Sequence, residues 1–378
     1  MRRPAPTLPL AAIPAAVLLA TLSVSSARQE AVPPPAAPAA RSVEVLSRSY
    51  LVDRKYRSMF GPSGTQMVRL LDAGDPELLW VTGFRAVMVG EDGEPISQEF
   101  MCHSNLDLNM KLHARLFQIP REPPSRVFTL SQGQQEIRFP EGFGLPVMSS
   151  EPFQLTTQVL NHNLEPANLQ VRHKVTIDYL RHAELSGPIK PLMPVMAMGM
   201  VALDERQRHY NTPEPDPEIH GTGCLLGKTA TAGHEQTDDF GRPFSGHWIV
   251  KPGREVNRTN VTRMMDLPFD TTIHYIAVHL HPFAESIELR DLTEGRTVYI
   301  SRARASEGRI GLDHVDHYSS PEGLPLRKDR EYELVSTYNN TTEEDQDSMA
   351  VLYMYALDRE FRPPPGAPRA AVPAAARR

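Results

Sequence analysis

His274-Tyr275-Ile276-Ala277-Val278-His279-Leu280-His281 is a short run of aliphatic, β-branched and aromatic residues without helical spacing. Runs of this kind read as β-strands. A strand turns successive side chains to opposite faces, so His279 and His281 share one face. Working outward, similar runs lie at residues 79–81, 84–89, 153–160, 169–179, 286–290, 297–300, 332–338 and 350–356, with Pro, Gly, Asn and Asp between them. Little of the chain carries a helical signal. Strands at this spacing predict an all-β protein of antiparallel sandwiches. A chain of 378 residues suggests two domains. The turn-rich Gly187-Pro188-Ile189-Lys190-Pro191 offers the boundary, giving blocks at residues 45–187 and 188–360. A polar stretch between Arg206 and Gly246, with Pro213-Glu214-Pro215-Asp216-Pro217, reads as a long surface excursion of the second block.

The ends of the chain read as address labels and linkers. Arg2 and Arg3 precede an apolar stretch over residues 8–24, and Ser25-Ser26-Ala27 offers small residues for cleavage. Residues 1–27 therefore read as a signal peptide, and the mature chain as exported, periplasmic or extracellular, with no membrane span left. Residues 28–44 are a Pro/Ala-rich linker, and residues 361–378 a Pro/Ala/Arg tail expected to lack order. The formal charge is −6, and the body has no basic cluster, which argues against nucleic acid as a partner. Only Cys102 and Cys224 occur, too few for a disulfide scaffold. A disulfide, a copper ligand and a thiol all remain open for them.

His279 and His281 with Met349 on a later apolar run form a candidate metal site. Two imidazoles and a thioether suit copper that moves between Cu(II) and Cu(I), and would suit magnesium or calcium poorly. His220, Cys224, His234 and His247 on the excursion are a weaker set whose spacing fits no standard zinc pattern. His314-Val315-Asp316-His317 reads as a solvated loop. No nucleophile elbow, phosphate loop or dinucleotide fingerprint is present.

The surroundings of the pair add a resemblance. Ile249-Val250-Lys251-Pro252-Gly253-Arg254-Glu255-Val256 leads through Met264-Met265-Asp266-Leu267-Pro268-Phe269-Asp270 to the His-x-His run. Ser286-Ile287-Glu288-Leu289-Arg290 and, much later, Ser348-Met349-Ala350-Val351-Leu352-Tyr353 follow. This order resembles the copper type II, ascorbate-dependent monooxygenases, the family of peptidylglycine α-hydroxylating and dopamine β-monooxygenases. The first block resembles that family more faintly, through Met101-Cys102-His103 and through 139–144 and 153–163, which end in Asn161-His162-Asn163. The resemblance implies two tandem antiparallel jelly-roll-like β-sandwich domains, each bringing one copper to a shared cleft. It implies a catalytic-type copper on His279, His281 and Met349, with Tyr353 beside it. It implies a second, electron-transfer copper on His103 and His162, with Cys102 as a further ligand. The implied activity is hydroxylation of a C–H bond with dioxygen, ascorbate being the electron donor.

Two departures bear on this expectation. Cys102-His103 stands where the family has adjacent histidines, so Cys102 is either a thiolate ligand or a structural residue, and His113 is a possible substitute. Ala277 stands where peptidylglycine enzymes have the carboxylate-binding Arg, and Val351 where they have an Asn, which favours a less polar substrate than a peptide with a C-terminal glycine. The substrate, small molecule or peptide, is not readable. A non-catalytic copper protein on the same scaffold and a metal-free ligand-binding sandwich are the alternative readings.

Overall fold

A computed structural model describes residues 40–364 except 59, 73, 165–167, 204–234 and 238–240. The expected signal peptide, most of the linker, most of the tail, and His220, Cys224 and His234 lie outside the described residues. The fold is all-β, and its strands form mainly antiparallel sheets packed as two sandwiches. A ten-stranded sheet is its backbone, with the path Arg41–Leu46, Leu169–Arg181, Leu78–Gly90, Phe143–Met148, Lys190–Met198, Ala350–Leu357, Thr271–Leu280 and Tyr318–Leu326. Arg41–Leu46 takes up the end of the expected linker. Its alternating Val43 and Val45 pair along Leu169–Arg181 and pack on the core.

Over the N-terminal half of this sheet lies a four-stranded one: Ser63–Val68, Phe153–Val159, Met101–Leu108 and Arg126–Leu130. Phe84, Val175 and Ile177 meet Leu106, Phe128, Phe153 and Leu155 between them. Over the C-terminal half lies a five-stranded sheet: Gly253–Asn260, Tyr332–Asn340, Ala284–Asp291, Arg296–Ala305 and Leu312–Val315. Ile276, Val278, Leu352 and Met354 meet Ile287, Leu289, Leu334 and Tyr338 in this second core. Each such aliphatic or aromatic side chain contributes about 1.5–3 kcal/mol on full burial. The sandwiches are tandem in the chain yet share a sheet. Just past Gly187-Pro188, Lys190 and Pro191 pair in parallel with Phe143 and Gly144, the one parallel ladder among the described strands.

The N-terminal sandwich also covers the outer face of the C-terminal one. Tyr275, Ala277, Val351, Tyr353 and Tyr355 all belong to the N-terminal core, while their even-numbered neighbours face the second core. Tyr355 stacks on Phe128 and donates its hydroxyl proton to Val127 O at 2.7 Å. The turn Gln132-Gly133-Gln134 plugs into the same face. Val278 N–H donates to Gln134 Oε1 at 2.9 Å, Leu312 N–H to Gln132 Oε1 at 3.2 Å, and Val315 N–H to Gly133 O at 3.0 Å. Gly133 has φ +80°, and a Cβ there would stand 2.6 Å from Val315 Cγ2. Only glycine meets both demands without strain. This docking buries the odd face of the His-x-His strand instead of leaving it on a cleft.

One short helix, Met110–Phe117, follows Met101–Leu108. Asn109 caps it, its Oδ1 accepting from Leu112 N–H, and Gln118 ends it in the left-handed region at φ 55°. The helical turn moves His113 away from the position that a continued strand would have given it, so it is no substitute ligand beside His103.

Candidate metal centre between the sandwiches

The strand Thr271–Leu280 is buried along nearly its whole length, and its odd face turns from aromatic to imidazole toward its end. His279 pairs with Val351, and Leu280 with Ala350, so His281 and Met349 stand side by side where the two strands stop. Tyr338 fastens that end. Its hydroxyl donates to Met349 O, and its oxygen accepts from His281 N–H at 3.4 Å. The His279 and His281 rings are 5.2 Å apart and perpendicular.

Asp347 adds a carboxylate that no motif marked. It lies on Gln346–Ser348, which pairs with Trp248–Val250 and thereby brings His247 alongside. Asp347 Oδ2 accepts from His281 Nδ1 at 3.0 Å and stands 3.4 Å from His247 Nε2. The His247 and His281 rings are 5.3 Å apart. His247, His281 and Asp347 each offer one ligand atom, all within 4.8 Å of one another. His247 was legible only as part of the weak excursion set. Asp347 ends the acidic run Glu343-Glu344-Asp345-Gln346-Asp347, so nothing in the sequence set it apart from its charged neighbours.

The N-terminal sandwich contributes two more imidazoles. The charges of Asp347 and His281 both act on His162, which follows the bridge between Asn161 and Tyr56. The charge of His103, on Met101–Leu108, acts on His279. The structure therefore places His103 within charge reach of His279, and His162 within charge reach of His281 and Asp347. Cys102 occupies a bulge of its strand, with Sγ 4.0 Å from Gln158 Oε1. Tyr353 shares the face of Ala277 and Met349 and is buried in the N-terminal core. Ala277 and Val351 are fully enclosed in that core. His314 joins a strand, Leu312–Val315, and bonds Asp316, while His317 stacks on Tyr275.

Burial pushes His162 down to about 4, with Asp347 opposing and His281 and Arg57 reinforcing. Burial likewise holds His279 well below the usual histidine range, and lowers His281 against the pull of Asp347. Burial would push the Asp347 carboxyl up, but hydrogen bonds from His247 and His281 outweigh it and keep it well below the usual carboxylate range. The result is neutral imidazoles around a fixed anion. His279 Nδ1, His281 Nε2 and His162 Nε2 are buried without a hydrogen-bond partner among the described residues. Such orphaned nitrogens are uncommon in a settled core, and His173 Nε2 is another, but only the first three belong to histidines linked through His281. Their chemistry fits a transition-metal ion. Asp347 accepts Nδ1–H of His281, and so leaves the Nε2 lone pair for a metal, the usual second-sphere arrangement.

A cavity reaches the cluster at His162. Its volume is about 350 Å³, and it is bounded by Tyr56, Arg57, Phe60, Asn161, His162 and Gln346, among others. His162 thus stands between this cavity and the buried residues.

No family model matches the sequence, and no curated protein does. Solved structures give weak likenesses. N-glycanase F (PNGase F) is 9% identical, with a TM-score of 0.33 over 84% of this chain and 96% of that chain. A peptide-N(4)-(N-acetyl-β-D-glucosaminyl) asparagine amidase is 8% identical, with a TM-score of 0.32 over 83% and 96%. PNGase F described as a glycosylasparaginase of Flavobacterium meningosepticum gives the same values, 8% and 0.32 over 83% and 96%. At that level the likeness carries no argument about activity.

Proposed function

We propose that the interlobe cluster is a copper centre and that the exported chain is a copper-dependent monooxygenase. The observation that carries the metal is the set of orphaned, neutral, buried imidazole nitrogens on His279, His281 and His162. The resemblance of the sequence supplies copper, the C–H hydroxylation and a reductant such as ascorbate. His279, His281 and Met349 are the residues we assign to the metal from the C-terminal sandwich. His162 and His103 join the same neighbourhood, so we assign them to this centre before a separate second copper, and Cys102 to the strand bulge. Bound copper would supply one-electron redox chemistry and a site for dioxygen. The chain's own part is to keep the imidazoles neutral by burial and to orient His281 through Asp347, with His162 on the side that meets the cavity. Tyr353 stays on the protein side of this reading as a wall residue.

A second reading has its own observation. The His281–Asp347 hydrogen bond, beside His247, is complete without a metal and would knit the sandwiches as a polar network. Counting copper in the purified mature chain after copper loading and desalting decides between them. The expected result is at least one copper per chain, lost in His281→Gln and Met349→Leu, with ascorbate-dependent oxygen uptake lost in the same variants. A chain that holds no copper, and whose melting temperature is unmoved by copper or chelator, sinks the proposal and leaves the network.

A further inference from the structure

A second cavity, of about 590 Å³, shares no residue with the histidine cluster. Its walls join a ring-bearing apolar side, with Phe117, Leu145, Leu192, Phe269 and Phe361, to a charged side at Arg121 and residues 358–362. His113 opens onto it from the helix Met110–Phe117. The imidazole is held from behind. His113 Nδ1 lies 2.9 Å from Glu151 Oε1, and Glu151 Oε2 accepts from Met148 N–H at 2.7 Å. The Phe117 ring packs against the imidazole, with centroids 4.5 Å apart. The Glu151 side chain is enclosed and His113 nearly so.

A buried carboxylate–imidazole pair is weak evidence of stability, because removing both groups from water offsets most of their attraction. The same pair opening on the ring-bearing side of a cavity of this volume has the make-up of a small-molecule site, where an apolar wall carries an oriented polar group. Glu151 is an acceptor on both oxygens, so Nδ1 carries the proton it receives. Nε2 is then the nitrogen left to a ligand, as an acceptor when the ring is neutral. The rim adds no net sign, since Asp358 and Glu360 alternate with Arg359 and Arg362, and Arg121 is paired with the Asp266 carboxylate at 3.6 Å. The lining therefore selects a ring-sized neutral ligand carrying one hydrogen-bond donor.

We infer that this cavity binds a small aromatic molecule bearing a hydroxyl group, a phenol, whose O–H donates to His113 Nε2. The inference stands apart from the copper centre and survives its failure. The test uses the full mature chain and 2-naphthol, with 2-methoxynaphthalene as the probe that cannot donate. Trp80 reports binding, because its ring is 5.4 Å from that of Phe361. Saturable quenching by 2-naphthol is expected, weaker by about tenfold for the methoxy compound, the loss typical of one hydrogen bond to a polar partner. In His113→Gln that preference should vanish. Should this variant unfold, chemical shifts of the His113 ring in the wild type carry the test, moving with 2-naphthol and not with 2-methoxynaphthalene. Absence of saturable binding overturns the inference. Equal binding of the two probes, or an unchanged preference in His113→Gln, overturns it too, and leaves an apolar cavity with no recognition by His113.

Discussion

His173, within a strand, and His281, just past the end of one, are both enclosed imidazoles, one in each sandwich, and their surroundings differ in kind. His173 Nδ1 meets Ser104 Oγ at 2.9 Å, its backbone N–H donates to Ser47 Oγ at 2.9 Å, and the Tyr50 ring edges it at 6.1 Å. Burial drives it down to about 3, opposed only by a backbone hydrogen bond at Gln158, with no ionisable group acting on it. His281 has Asp347 on Nδ1, His247 and His279 within ring distance, and His162 within charge reach. A hydroxyl partner insulates an imidazole as neutral core. A carboxylate partner with other imidazoles around it makes a ligand field. The comparison separates a structural histidine from a candidate ligand by neighbours, where burial alone does not.

The sharpest way to break it is Asp347→Ala. If Asp347 orients His281 for a metal, copper affinity should fall about 10–100-fold, as for other carboxylate–histidine pairs behind a metal. The metal-free chain should also lose about 3–5 kcal/mol, because a buried network loses its anion. Urea unfolding of the apo chain and a competitive copper titration read these separately. A stability loss with unchanged copper affinity would make His281 the same kind of residue as His173.

Acid should act on both regions through one sign. His173 has a folded pKa of about 3 and His162 of about 4, below the ordinary 6.5. Each is neutral in the folded chain and takes up a proton more readily when unfolded. Their contribution is therefore complete above pH 6.5 and is lost as the pH falls toward 3–4, by an amount on the order of a few kcal/mol. His173→Gln should flatten that slope in the metal-free chain while copper binding persists, and His281→Gln should abolish copper binding. Copper lost in both variants would erase the distinction.

The pattern of particular residues explains what the sequence disclosed. The run from Tyr275 to Leu280 declared a buried strand because apolar residues fill both faces, and period two placed His279 with His281. The two sandwiches followed from the spacing of such runs. The shared sheet did not, since the parallel pairing of Lys190 with Phe143 joins residues far apart and leaves no local mark. Nor did the plug at Gln132-Gly133-Gln134, whose side chains read as an ordinary turn. That plug is why Ala277 and Val351 are core. His113 departs from the strand position because Asn109 caps a helix there and ends the strand at Leu108. Asp347 was missed because a carboxylate in a three-residue strand has no periodicity to betray it.

Docking of the plug is the next test, because only one of the two histidines depends on it. Gly133→Ala forces a left-handed backbone on alanine and drives its Cβ into Val315 Cγ2. The expected loss is about 1–3 kcal/mol. Since Gln134 bonds Val278 N–H, one residue from His279, copper affinity should weaken with it. The ring signals of His173, inside the N-terminal sandwich, should stay in place. A shift at His173 equal to that at His279 would mean that both belong to one cooperative core.

Tyr355→Phe asks the same question most gently. The Tyr355 hydroxyl is buried and donates to Val127 O across the seam, and burial keeps it well above the usual phenol range. Removing one oxygen keeps the ring against Phe128 and Phe139, so packing survives while a buried carbonyl loses its donor. A loss of about 1 kcal/mol is expected from urea unfolding. Val127 lies on the N-terminal sandwich and Tyr355 on the strand beside His279, so the bond spans the seam without touching the cluster. If the seam merely covers the imidazoles, copper affinity should not move in Tyr355→Phe. A loss of copper larger than the loss of stability would instead show that the metal holds the two sandwiches together, with His162 as the residue that closes the span.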